Sequence, residues 1–234
     1  MKLNDFIRDW TRQYTAEMDS VKLFDIKWTQ SWTFEQKAFF VRAFYHIRGH
    51  CNDFFWFVAN HTEDVRVKNV ILENTDEEYG KERRSHEQLF LKFAEEFGFD
   101  LRDELVNETT NLPFIKGFNK GHIEWLATHE AAYQFAAFSA YEKLDNPDYN
   151  CLYNLATSIS KNKSSLLFFD VHRYVEHFEA TSEVLQEIWN KDYTIVRDAF
   201  EFIGNHQLKM WRELGESVNS HQYLRTRDFD VIGV

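Results

Sequence analysis

Six side chains carry the chemistry this chain could do. Glu78 and His86 share one charged stretch, Glu77-Glu78-Tyr79-Gly80-Lys81-Glu82-Arg83-Arg84-Ser85-His86. Glu142 follows an apolar run in Ala140-Tyr141-Glu142-Lys143-Leu144. His172, Glu176 and Glu179 lie in Phe168-Phe169-Asp170-Val171-His172-Arg173-Tyr174-Val175-Glu176-His177-Phe178-Glu179. All sit in or beside aromatic, apolar helical sequence, where an uncompensated charge is costly. A shared metal ion, or two, removes that cost. Carboxylate oxygen with imidazole nitrogen suits iron or manganese and leaves room for an oxygen-derived ligand.

Spacing sets the alternatives. His172, Glu176 and Glu179 are four and then three residues apart, so they share one face of a continuous helix. Phe168 and Phe169 before them, and Leu185 and Ile188 after, mark that face as buried. The plainer reading has both glutamates in solvent and His172 as a satisfied core histidine. Asp170 and His177 align on a competing face. On one helix His172 and His177 are about 140° apart and do not easily reach one ion. The His172 face, with three donors, is preferred. Glu142 continues the stripe Ala131, Phe135, Phe138; the alternative is a helix-end carboxylate paired with Lys143. Whether Glu77 or Glu78 is the ligand stays open.

His46 and His50 form a second i, i+4 pair on an aromatic helix. They lack the zincin glutamate between them, so a packing or substrate-contact role is expected. Phe135, Phe138, Phe168 and Phe169 are candidates for holding an apolar substrate body. Arg173, His46 or His50 are candidates for meeting its carboxylate or amine. The remaining histidines, His122 and His206 among them, are expected at the surface or as satisfied core residues.

The elements that must position these groups read as helices throughout. One is expected over residues 3–18, on the stripe Phe6, Trp10, Tyr14. A long one opens at the cap signal Ser31-Trp32-Thr33-Phe34-Glu35-Gln36 and runs to about residue 60. Another runs from about 62 to 79 and stops at Gly80, and one opens at Ser85 and stops at Gly98. Residues 107–121, broken by Pro113, Gly117 and Gly121, read as a loop or short helix. Helices follow over about 122–144, 148–160, 164–190 and 192–216, with Asp145-Asn146-Pro147-Asp148 as a turn. No stretch alternates with period 2, so the fold class is all-α. The chain is expected to form one domain over 1–234, with its core over about 20–216 and a polar tail.

Composition agrees. The 234 residues are 44% hydrophobic and 17% aromatic, with 23 Phe, 2 Pro and 8 Gly, which suits a compact helical domain rather than disorder. The net charge of −11 argues against nucleic acid as a partner. No apolar run is long enough for a membrane span and the start lacks a signal-peptide core, so a cytoplasmic protein is expected. Cys51 and Cys151 form no Cys-x-x-Cys and read as reduced core residues. A homodimer is the default assembly.

These residues resemble a known family, the heme-oxygenase-like diiron oxidases and oxygenases, relatives of pyrroloquinoline-quinone synthase and the thiaminase-II-like proteins. The resemblance is carried by Trp32-Thr33-Phe34-Glu35-Gln36, by Phe44-Tyr45-His46, by Asn74 with Glu78-Tyr79-Gly80 and Ser85-His86, and by Tyr141-Glu142. It spans about residues 20–215. It implies a bundle of seven to eight helices and places Glu78 (or Glu77), His86, Glu142 and His172 at positions resembling family iron ligands. The family's closing His-x-x-x-Asp-x-x-His is altered here: Glu176 stands for the Asp and Glu179 for the last His. The chemistry implied is activation of O2 as co-substrate by two Fe(II) ions, with manganese as the alternative and an external reductant as a partner. The implied substrate is a small amphiphilic carboxylate, an aromatic amino acid for instance. A metal-free enzyme of the same fold is the runner-up, and a non-enzymatic helical interaction protein is the third reading.

Overall fold

A computed structural model describes residues 1–81, 83–98, 100–174 and 177–221. Helices account for the regular structure of these residues. They begin with α1 (Leu3–Met18), a 3₁₀ turn (Lys22–Phe24), α2 (Ile26–Gln30), α3 (Phe34–Arg48) and α4 (Cys51–His61). Next come α5 (Val65–Glu78), α6 (His86–Glu95), α7 (Leu101–Asn107) and α8 (Pro113–Ala127). The chain ends in α9 (Ala131–Ile159), α10 (Leu167–Tyr174), α11 (Phe178–Lys191) and α12 (Tyr193–His221). The segments outnumber the seven to eight expected because long runs are broken and the short helices α2 and α7 are added.

Local chemistry explains most of the boundaries. Thr33 and Ser85 each accept from the backbone N–H three residues on, while Gln36 and Gln88 return the bond, so both helix starts are closed capping boxes. Asp25, Asp64 and Asp100 cap α2, α5 and α7 through side-chain oxygens. Gly80 and Gly98 follow α5 and α6 at φ +82° and +80°, the left-handed region that stops a helix cheaply.

Four expectations need correction. The run to residue 60 divides at Gly49-His50 into α3 and α4. The short helix allowed within 107–121 is α8, opened by Pro113 at the first helical position, where its missing N–H costs nothing, and it runs on to Ala127, so the helix expected over 122–144 is divided at residues 128–130. The supposed turn at Asp145-Asn146-Pro147-Asp148 is helix too, and α9 runs through Pro147 for 29 residues. Burial of Leu144, Asp148, Leu152 and Leu155 on both sides outweighs the lost hydrogen bond. Finally, the helix expected over 164–190 is split, with α10 ending at Tyr174 and α11 starting at Phe178. Of the expected polar tail, residues 217–221 continue α12, and 222–234 lie outside the described residues.

α9 is the central rod, packed by α12, α10, α11 and α4. An aromatic core fills the space around it. Phe40 stacks on Phe44 (5.7 Å), which meets Phe90 (5.6 Å), which meets Phe168 (5.0 Å). All four rings are nearly or fully buried. Phe168 in turn lies 4.5 Å from the ring of His172, so the core ends against a histidine.

Candidate metal centre

Three elements bring the first ligand group together. Glu78 is the last residue of α5 and His86 the first of α6. The reversal between them depends on Gly80, where an added Cβ would collide with the Arg84 carbonyl. His172 comes from α10. One ligand atom from each of Glu78, His86 and His172 lies within 4.8 Å of the others, and both histidines are buried. His86 Nδ1 is 2.9 Å and His172 Nε2 3.7 Å from Glu78 Oε1. The two imidazole rings are 4.3 Å apart.

Tautomers decide what this group needs. His172 Nδ1 is 2.7 Å from the Phe168 carbonyl, and a carbonyl only accepts, so Nδ1 carries the proton. In neutral His172, Nε2 then directs a lone pair at the Glu78 carboxylate, acceptor against acceptor. A cation between them resolves the conflict. A ring whose other N–H is held by a backbone carbonyl is the usual arrangement of a metal-bound histidine. Burial pushes the His172 pKa down, against the pull of Glu78, and so favours the neutral ligand form. Burial also works to raise the Glu78 carboxyl, but the neighbouring His172 and His86 imidazoles hold it well below the usual carboxylate range. Tyr149 stacks on His172 at 4.2 Å and fixes the ring plane.

A cavity extends the group. It is lined by Glu78, His172, Glu142, Asp145, His177 and Asn74, with Arg48, Cys51, Phe55, Tyr141, Tyr149 and Phe168 completing the wall. About 20 Å³ of it is open to the centre of a water molecule, room for roughly one water-sized species. Arg48 from α3 is 8% exposed, and its Nη2 is bonded to Glu87, the residue after His86. Its guanidinium lies 5.0 Å and 5.3 Å from the Phe90 and Phe168 rings.

The other expected site residues are distributed differently. Glu142 is buried and lines the cavity, while Lys143 lies over the Phe178 ring at 4.8 Å. Glu77 faces Lys81 (3.4 Å) and His177 (3.5 Å), whereas Glu78 joins the histidine pair. Glu176 lies outside the described residues. Glu179 is exposed in the first turn of α11 and is not brought to the group, because α10 and α11 are separate helices. The same break corrects the 140° argument: His172 and His177 both line the cavity. Asp170 instead pairs with Arg173 at 3.1 Å.

The expected substrate contacts also move. Arg173 packs over Tyr153 (3.9 Å) and bonds the Tyr174 hydroxyl, away from the cavity lining. His46 is held by Glu104 at 3.0 Å, and His50 stacks on His122 at 5.2 Å. Phe135, Phe138 and Phe169 are core residues; of the expected phenylalanines, Phe168 alone reaches the cavity. Arg48 and Asp145 were not expected there. Asp145 is three residues from Glu142 and four from Tyr149, a one-face signal masked by reading Pro147 as a turn.

The fold is all-helical and carries a buried Glu-His-His group of metal-ligating type. The chain matches the family model described as "Iron-containing redox enzyme" over residues 38–189, and it belongs to that family. Its fold is the heme oxygenase-like one. A domain of unknown function with that fold from Shewanella denitrificans OS217 is similar over 95% of both chains, at TM-score 0.72 and 17% identity. A CADD-like protein of unknown function from Nostoc punctiforme PCC 73102 is similar over 92% of this chain and 96% of its own, at TM-score 0.69 and 15% identity. No curated protein matches the sequence.

Proposed function

We propose that this protein is an O2-dependent non-haem diiron oxidoreductase acting on a small amphiphilic carboxylate, most simply an amino acid with a large apolar or aromatic side chain. The observation that carries the reading is the lone pair of His172 Nε2 facing the Glu78 carboxylate at 3.7 Å in a buried site. Family membership supports iron as the cation.

Glu78, His86 and His172 are suited to hold one ion, and Glu142, Asp145 and His177 offer donors for a second in the same cavity. Bound iron supplies one-electron chemistry toward dioxygen. The chain does the rest. Its aromatic wall of Phe55, Tyr141, Tyr149 and Phe168 excludes water and contacts the apolar part of a substrate. Arg48, a buried cation lining an acidic cavity, suits the substrate carboxylate, taking the part first expected of Arg173. The cavity is too small for an amino acid in this conformation, so substrate entry moves its wall.

Anaerobic loading with Fe(II), followed by metal analysis, tests the reading. About two ions per folded chain are expected, with His172→Ala losing the one held by Glu78, His86 and His172. A folded wild-type protein that binds no iron ends it. A panel of amino acids and medium-chain fatty acids in which none accelerates oxygen consumption removes the substrate class.

A further inference from the structure

Two donors at the metal cavity are left without acceptors. Asn74 of α5 and Arg48, the last residue of α3, both line that cavity, and both are more than nine-tenths buried. Asn74 Nδ2 and Arg48 Nε are enclosed, and neither has a hydrogen-bond partner. A folded chain rarely leaves such groups unfilled, because each has given up its bonds to water. The rest of Arg48 is committed. Its Nη2 donates to Glu87, whose other oxygen accepts from the Tyr45 hydroxyl at 3.0 Å, and its guanidinium lies against the Phe90 and Phe168 rings. The side chain is thereby held in place, and Nε–H is a fixed donor.

Charge limits what these donors can meet. Burial and the cavity's carboxylates push the pKa values of Cys51 and Tyr149 up, and Arg48 works against them, so its charge is felt inside the cavity. Glu78, Glu142 and Asp145 line the same space. Without metal these acids repel an anion. Arg48 and Glu87 cancel each other, and two divalent ions set against three carboxylates leave one positive charge. One monoanion neutralises it. A carboxylate is acceptor-only, with two oxygens, and its hydrogen bonds to N–H donors are strengthened by its charge.

We propose that the Asn74 Nδ2 amide and Arg48 Nε–H together form the seat of the substrate's carboxylate, and that this seat selects a monocarboxylate over its neutral amide. The proposal deepens the reading above and rests on it for the two metal ions. Asn74 becomes a specificity-determining residue, a part that nothing else in the cavity gives it. Arg48 serves through Nε–H, while Glu87 holds the far end of its guanidinium. A neutral amide brings its own N–H groups, which cannot pair with two donors, and it leaves the positive charge uncompensated.

The test needs neither turnover nor oxygen. Formate, the smallest carboxylate, is the probe, and Zn(II), which accepts the same nitrogen and oxygen ligands without redox chemistry, is the metal. In Zn(II)-loaded protein, formate should shift the NMR signals of Arg48 Nε–H and the Asn74 side-chain amide and saturate, whereas formamide should not. Metal-free protein should bind formate roughly tenfold or more weakly. Asn74→Leu keeps the shape and removes the donor without adding charge, and Arg48→Lys keeps the charge and removes Nε–H. Each should weaken formate binding roughly tenfold or more. Asn74→Leu should also melt no lower than wild type, since the group it removes has no partner. Signals indifferent to formate, an equal response to formamide, or wild-type affinity in both variants overturns the seat. Zn(II) content is measured on every sample, and its loss in either variant would place that residue in metal binding and overturn the seat as well. A folded wild type that takes up no Zn(II) counts against the metal reading, while formate titration of the metal-free protein and its variants still decides the seat.

Discussion

The hydroxyl of Tyr14 donates to Asp148 Oδ1 at 2.7 Å, joining α1 to the middle of α9 across 134 residues of sequence. Trp211 Nε1 donates to the other oxygen at 3.2 Å. Burial raises Asp148 to about 7, despite both donors. Its folded value lies above its unfolded one, so its contribution to stability is full below about pH 4 and is lost as pH rises toward 7. Wild-type protein should therefore lose more thermal stability between pH 5 and pH 8 than Asp148→Asn. Equal losses in the two proteins would show that Asp148 is not titrating in this range.

Glu78 and His172 have the opposite sign. Glu78 has a depressed folded pKa, so its contribution is present above the ordinary carboxylate range and fades as pH falls. His172 is also lowered, so protons favour the unfolded chain below about pH 6.5. Metal-free protein should lose stability from about pH 6.5 downward, and His172→Ala should flatten that slope in a series of melting curves.

Glu78→Gln, His86→Ala and His172→Ala should each weaken Fe(II) binding by roughly 100-fold or more, since residues merely supporting a ligand already cost 10- to 100-fold. Helix content should be retained, because the aromatic core lies beside the site rather than through it. Anaerobic titration with circular dichroism on the same samples measures both.

Asp145→Asn and His177→Ala should reduce the metal bound from about two ions to about one, leaving the tighter site intact. Loss of both ions in either variant would mean that the donors do not divide in this way.

Pro147→Ala restores a backbone N–H inside α9 and removes a ring that crowds the preceding turn. It should raise the urea midpoint, by up to about 3 kcal/mol of stability. A fall instead would show that Pro147 itself is needed to seat Asp145 and Asp148.

Local signals foretold several of the helix ends. The boxes at Thr33 and Ser85 and the left-handed glycines at 80 and 98 are readable because cap and stop lie within one turn of sequence. Pro147 misled because its penalty is local while the burial that overrides it is tertiary. The Glu78, His86 and His172 group was legible from residue type and order. His177 and Glu179 lie elsewhere than expected because both positions were projected along one continuous helix, whereas α10 and α11 are separate helices. Asp145 was hidden by the turn assigned around it.

α9 also constrains how the chain can vary in length. Glu142, Asp145 and Tyr149 face the cavity, and Asp148 turns toward Tyr14 and Trp211, all from one uninterrupted rod. Inserting or deleting a single residue before Glu142 would swing everything beyond it by about 100°. The cavity would lose Glu142 and Asp145, and α1 its anchor, in the same event. Homologous chains that keep this chemistry should therefore place their insertions and deletions in the connections, as at residues 108–112 or 160–162, and hold the register of α9 fixed.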